Sequence, residues 1–279
     1  MSVERLSDVD ALKEIARQMR RHILEMIAEA GSGHPGGSLS AVEIVTALYW
    51  NELQHDPKNP KDPNRDRFVL SKGHGVPVLY TALAMSGYFD VSMLRSLRKL
   101  DSPLQGHPDV RKLPALEAST GSLGQGLSIG IGMALGLRMD GRPSRVYVLL
   151  GDGECDEGQV WEAALFAGNH GVANLCAIVD ANGAQLDGWV KEIAPLEPLP
   201  DKWRAFNWNV IEIDGHSFAD ILKAFRAARE EKTAPTVIVA RTLKGKGVSF
   251  MEAEGPKYHG VAPTPDELAR ALAELEPGK

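Results

Sequence analysis

Between Val146 and Gly188 the chain reads Val-Tyr-Val-Leu-Leu, then Gly151-Asp152-Gly153, a helical pattern, Leu-Cys-Ala-Ile-Val, and finally Asp180-Ala181-Asn182. Two short apolar runs, each closed by a polar turn and joined by a helix, predict a β-α-β unit with parallel strands. Both turns of such a unit emerge at the carboxyl ends of neighbouring strands, where open α/β sheets bind ligands. Asp152 and Asn182 are therefore expected to converge.

The rest of the chain repeats this rhythm. Phe68 to Leu70, Val210 to Ile213 and Val237 to Ala240 join Val146 to Leu150 and Leu175 to Val179 as strand candidates. They lack in/out alternation, as strands covered on both faces do. Helices fit over Gln125 to Leu137, Val160 to Asn169 and Phe218 to Glu230. At the start, Leu12, Ile15, Ala16, Met19, Ile23, Met26 and Ile27 recur at helical spacing, with Ser7 and Asp10 as a capping pair and Gly31 as the stop. A glycine-rich loop, Gly31 to Gly37, leads to a second helix over Ala41 to Trp50. Pro57, Pro60 and Pro63 mark a surface loop, and Thr264 to Leu275 reads as a closing helix. The expected fold is α/β: an open, mostly parallel sheet with helices on both faces, in one domain spanning residues 1–279.

Composition narrows the function. The chain has 31 Lys and Arg against 37 Asp and Glu, a net charge of −6, which disfavours a broad nucleic-acid surface. No apolar run is long enough to span a membrane, and Met1 to Asp10 carries no signal-peptide core, so a cytoplasmic location without membrane contact is expected. Cys155 and Cys176 lie too far apart for a CxxC pair, and the eight histidines show no HExxH spacing, which disfavours structural zinc.

An acidic protein that binds an anion needs local help. One carboxylate, one amide oxygen and a loop carbonyl are three hard oxygen ligands, too few for a calcium cage but suited to Mg²⁺ completed by phosphate oxygens and water. The glycines flanking Asp152 let backbone N–H groups approach an anion at the following helix end. Taken alone, Gly-Asp-Gly equally describes a turn with Asp152 as a helix cap. Other phosphate motifs fail: Gly121, Gly124 and Gly126 reverse the dinucleotide order and follow no strand, and no GxxxxGK[ST] occurs.

Gly-Asp-Gly followed some thirty residues later by Asn within a β-α-β unit resembles the thiamine diphosphate fingerprint. Further segments resemble the transketolase branch of it: Gly33-His34-Pro35-Gly36-Gly37-Ser38-Leu39-Ser40, Arg67 to His74, Gln105-Gly106-His107-Pro108, Thr120 to Gly126, Lys244 to Phe250, and His259-Gly260. The wording is most similar to N-terminal subunits of transketolases divided between two chains, and the likeness covers nearly the whole chain.

The resemblance implies a diphosphate-binding domain with thiamine diphosphate and Mg²⁺ as cofactors. It implies Asp152, Asn182 and the Ala184 carbonyl as metal ligands. His74, Gly153 and His259 would meet the diphosphate, Gly121, Ser122 and Leu123 the aminopyrimidine region, and Leu186 the thiazolium ring. His34, His107 and His259 would face the substrate, and Glu157 a carboxylate network at the subunit interface. Ala181 and Ala184 are small where bulkier residues are common. The remaining histidines, His22, His55, His170 and His216, read as ordinary surface or core residues; Cys155 reads as a bystander, and Trp161 and Phe166 as core or interface.

The same resemblance implies that a partner, a C-terminal transketolase subunit with the pyrimidine-binding domain and the activating glutamate, completes a heterotetramer. The expected reaction is transfer of a two-carbon ketol unit between sugar phosphates, as in the pentose phosphate pathway. Two alternatives share the fingerprint: a subunit of another thiamine diphosphate enzyme, of the 2-oxoacid dehydrogenase α or deoxyxylulose phosphate synthase type, and a non-catalytic cofactor-binding regulator.

Overall fold

A computed structural model describes residues 5–277. Its strands are β1 (Arg67–Leu70), β2 (Val146–Gly151), β3 (Leu175–Ala181), β4 (Asn209–Asp214) and β5 (Thr236–Arg241). They form one sheet in the order β1-β2-β3-β5-β4, parallel throughout. All five strand candidates are strands. Gly151 pairs with Asp180 and Asp180 with Ala240, so the tips of β2, β3 and β5 stand side by side.

The helices are α1 (Val9–Ala30), α2 (Pro35–Leu39), α3 (Val42–Ala47), α4 (Val76–Met85), α5 (Gln125–Met139), α6 (Gly158–Asn169), α7 (Val190–Ile193), α8 (Leu199–Ala205), α9 (Phe218–Glu230), α10 (Ser249–Glu254) and α11 (Pro265–Glu274). Alternate strand residues feed two apolar layers. Tyr147, Leu149, Cys176, Ile178 and Ile238 pack under α1, α3, α4 and α9, whereas Val146, Val148, Ala177, Val179 and Val237 pack under α5, α6 and α8. The chain thus leaves β3 toward one face and β5 toward the other. That reversal opens a crevice at the strand tips, the usual ligand position in open α/β sheets.

Several expectations need correction. The cap of α1 is Asp8, not Ser7: its carboxylate accepts the N–H of Asp10 at 2.9 Å and of Ala11 at 3.4 Å. Part of the glycine-rich loop is the short helix α2, which Pro35 starts because its fixed φ and missing N–H suit a first turn. The helix expected over Ala41 to Trp50 is α for only six residues and then widens into a π-helical turn, Leu48–Glu52. β4 lies at the sheet edge between α9 on one face and α8 on the other, and its side chains are half-buried to exposed because no strand flanks its outer side. Helix α4 was not anticipated, because nearly every residue in it is buried and no polar face marks its period.

Candidate active site

The tips of β2 and β3 are stitched together as expected. The buried Asp152 carboxylate accepts the N–H of Gly153 at 2.8 Å and of Gly183 at 2.6 Å. Asn182 accepts the Ala184 N–H at 3.2 Å through Oδ1 and donates from Nδ2 to Asp180 at 3.2 Å and to Ser40 at 3.4 Å. Burial, with the neighbouring Asp180 charge, pushes the Asp152 carboxyl up to about 6. Asp180 beneath it is fully buried; burial opposes its charge, but the Lys72 ammonium and the hydroxyls of Ser40 and Thr242 hold its carboxyl below the usual range.

Lys244 enters from the loop after β5. Its ammonium donates to the Ala184 carbonyl and to His259 Nδ1, each at 2.8 Å. Burial and then the Lys72 charge lower Lys244 to about 8. A cationic group therefore already stands on the carbonyl assigned to the metal. Among the described residues no group of three His, Cys, Asp or Glu could hold a metal ion. Any cation here would rely on one carboxylate plus amide and peptide oxygens, a hard donor set that fits Mg²⁺ and not zinc.

Four histidines cluster beside the strand tips, each carried by a different segment. The ring centroid of His34 lies 5.3 Å from that of His74, 6.2 Å from that of His107 and 5.5 Å from that of His259; His74 and His259 are 4.9 Å apart. Burial is the first cause lowering all four, to about 4 for His34 and about 3 for His259. They are neutral at pH 7, so each ring offers one donor and one acceptor. His34 Nδ1 is buried without a hydrogen-bond partner, an open polar atom at this cluster.

Close packing sets the remaining wall. Gly121 has φ +145°, and a Cβ there would lie 3.1 Å from the His107 ring; a Cβ on Gly73 would lie 2.7 Å from the Gly121 nitrogen. Ser122 is exposed, and Leu123 and Gly153 are half-buried. Glu157 opens α6, exposed, with its Cβ side against Gly124 and no capping bond. Leu186 is 65% exposed on the loop beyond Ala184.

Of the histidines read as ordinary, His22 lies beside Glu25, His55 is bonded to Tyr49 and Tyr88, and His170 stacks on Phe166. His216 is a half-buried structural residue. It donates from Nδ1 to Glu43 at 3.0 Å and accepts the Leu243 N–H at Nε2 at 2.9 Å, while Arg20 bonds both Glu43 and the Lys246 carbonyl. This network fixes the loop that delivers Lys244. Cys155 is buried against the Gly151 carbonyl, Trp161 packs on Trp203, and Phe166 is 42% exposed.

The sequence reading missed Lys72, Lys244, Asp180 and Glu154 as site residues. Glu154 is buried and accepts the Ser71 hydroxyl, the Gly124 N–H at 2.9 Å and the Gly151 N–H at 3.0 Å, tying the Asp152 turn to the loop of Gly121 to Leu123. Lysines between small residues in Ser71-Lys72-Gly73, and an aspartate ending an otherwise apolar strand, were the available signals.

Comparisons with known proteins give the chain a family. The family model described as "Transketolase, thiamine diphosphate binding domain" matches residues 11–276. The chain is 47% identical over 265 residues to the 6-deoxy-6-sulfo-D-fructose transketolase subunit SqwG of Clostridium sp. (strain MSTE9), covering 95% of this chain and 96% of the relative. It is 39% identical to an apulose-4-phosphate transketolase subunit of Phocaeicola vulgatus, covering 96% and 94%. The crystal structure of Campylobacter jejuni transketolase superposes with a TM-score of 0.90 at 32% identity, over 96% of this chain and 43% of that one. With its fold, its crevice and nearly all of its length accounted for, the chain belongs to the transketolase family, as that family's thiamine diphosphate-binding domain.

Proposed function

We propose that this chain is the diphosphate-binding subunit of a transketolase divided between two polypeptides, moving a two-carbon ketol group from a ketose phosphate to an aldose phosphate. One juxtaposition carries the reading: a cluster of four neutral imidazoles is joined to the paired turns of Asp152 and Asn182 by Lys244, which bonds both His259 and the Ala184 carbonyl. The near full-length match to relatives named as single subunits supports the two-chain arrangement. Nothing in the comparisons favours a 2-oxoacid dehydrogenase or a regulatory relic.

Thiamine diphosphate, when bound, supplies the carbanion chemistry that carbon–carbon cleavage beside a carbonyl requires. Asp152, Asn182 and the Ala184 carbonyl would hold Mg²⁺, the carbonyl exchanging the Lys244 ammonium for the metal. His74, Gly153 and His259 would meet the diphosphate, with Gly121, Ser122, Leu123 and Leu186 along the rings. His34, His107 and His259 would give neutral donors and acceptors to sugar hydroxyls and developing oxyanions, a role that imidazoles held below their usual pKa can fill without competing charge. The partner would contribute the pyrimidine-binding half and its activating glutamate, in a cytoplasmic heterotetramer with Glu157 facing another subunit.

The test mixes the purified chain with its partner, thiamine diphosphate, Mg²⁺, a ketose phosphate and an aldose phosphate. Product should require both chains; turnover by this chain alone would contradict the reading. A second substrate reading, a ketose with a sulfonate in place of the phosphate, is favoured by the 47% identical relative named for 6-deoxy-6-sulfo-D-fructose. A donor screen with both sugars separates the two.

A further inference from the structure

The Arg98 side chain touches the two segments that carry His34 and His107. Its backbone has φ +58°, a left-handed conformation that side chains larger than glycine rarely adopt, and its N–H closes a tight loop onto the Leu104 carbonyl at 2.8 Å. The loop turns the side chain back over Gly106. A Cβ built on Gly106 would lie 2.8 Å from the Arg98 Nε and 2.9 Å from Cζ and Nη2, so the guanidinium rests against the backbone next to His107. Its other arm, Nη1, reaches the Ser32 hydroxyl at 3.4 Å, two residues before His34. Among the described residues it pairs with no carboxylate.

We propose that Arg98 is a positioning residue for the substrate side of the site, clamping the His107 loop to the turn that carries His34 and presenting a fixed positive charge to both rings. The charge acts on two groups at once. After burial, Arg98 is the next cause lowering His34 and the only charged neighbour lowering His107. The other groups facing His34 are His74, His107, His259 and Lys244; Lys72 lies deeper, paired with Asp180. Asp109, on the His107 loop, is turned to Arg111. No carboxylate therefore offsets Arg98 at either ring. The consequence is a pair of imidazoles that stay neutral on the acid side of their usual range, on two loops that one planar fork touches together.

The inference rests on the reading of His34 and His107 as substrate-facing, and its test is separable from that reading. Histidine titration midpoints are followed by NMR in the full chain for wild type, R98Q, R98K and G106A. R98Q should raise the His34 and His107 midpoints by about half a pH unit, the scale of one unit charge in a nearly aqueous dielectric. R98K should restore them. Gly106 has ordinary backbone angles, so G106A should displace the guanidinium and reproduce R98Q with the arginine still present. In the assembled enzyme the acid limb of kcat/KM should move up with the midpoints. Unmoved midpoints in both R98Q and G106A, or midpoints raised equally by R98K, would overturn the inference. Shifted midpoints with H34A and H107A kinetically silent would leave the clamp standing and defeat the functional reading.

Discussion

Lys72 and Asp180, 108 residues apart in sequence, form an ion pair with side chains 1% and 0% exposed. Asp180 also accepts from Ser40, Thr242 and Asn182, so one carboxylate gathers the α2 turn and the tips of β1, β3 and β5 under the site. Removing one partner strands a buried charge. K72M should lower the unfolding free energy by about 3–5 kcal/mol. The double variant K72M/D180L should lose less than the sum of the single variants, because it removes both charges. Guanidinium unfolding measures both, and additive losses would contradict the pairing.

Asp152 carries a pH signature. Its folded pKa, about 6, lies above the ordinary aspartate value of ~3.9, so the native state binds this proton more tightly than the unfolded chain does. The metal-free chain should therefore lose stability as pH rises from about 4 to about 6, and D152N should flatten that slope. The same proton competes with a cation. A thermal-shift gain from added Mg²⁺ should be present at pH 7 and fade as pH falls through about 6; a gain undiminished at pH 5 would exclude Asp152 as the ligand.

Lys244 offers its ammonium to Ala184 and His259, and burial brings it to about 8. A lysine with a lowered pKa keeps its charge below that value and loses it above. Affinity for a diphosphate ligand should weaken as pH rises past about 8, and K244M should weaken it on the order of tenfold at pH 7 without that dependence. Calorimetry at pH 7 and 9 reads both effects.

Glu154 holds three donors from three segments in a buried position. E154A leaves them without an acceptor and should cost about 3 kcal/mol or more, with E154Q intermediate because the amide oxygen still accepts. Urea unfolding of the two variants provides the comparison.

The strands were legible because β-branched and aliphatic runs between polar turns have few other uses, and α9 matched its expected bounds because its apolar stripe is regular. α4 was hidden by uniform burial, and the π-helical turn at Leu48–Glu52 has no spacing of its own. Asp152, Asn182 and the four motif histidines stand out in the sequence because each sits in a turn marked by glycine or proline, and the fold brings these turns together. Lys72, Asp180, Glu154 and Arg98 matter through partners far away in sequence. Local spacing carries no record of such pairs; the His216–Glu43 bond, for one, spans 173 residues.

In the proposed function the Asp152 carboxylate and the Asn182 carboxamide together would hold the cation that anchors the diphosphate. Calorimetric titration of thiamine diphosphate into the assembled enzyme, with and without Mg²⁺, tests it most directly. Wild type should bind in a Mg²⁺-dependent manner, and D152A/N182A should lose affinity on the order of 100-fold together with the metal dependence. Equal binding by the double variant would rule out both residues as the cation's ligands.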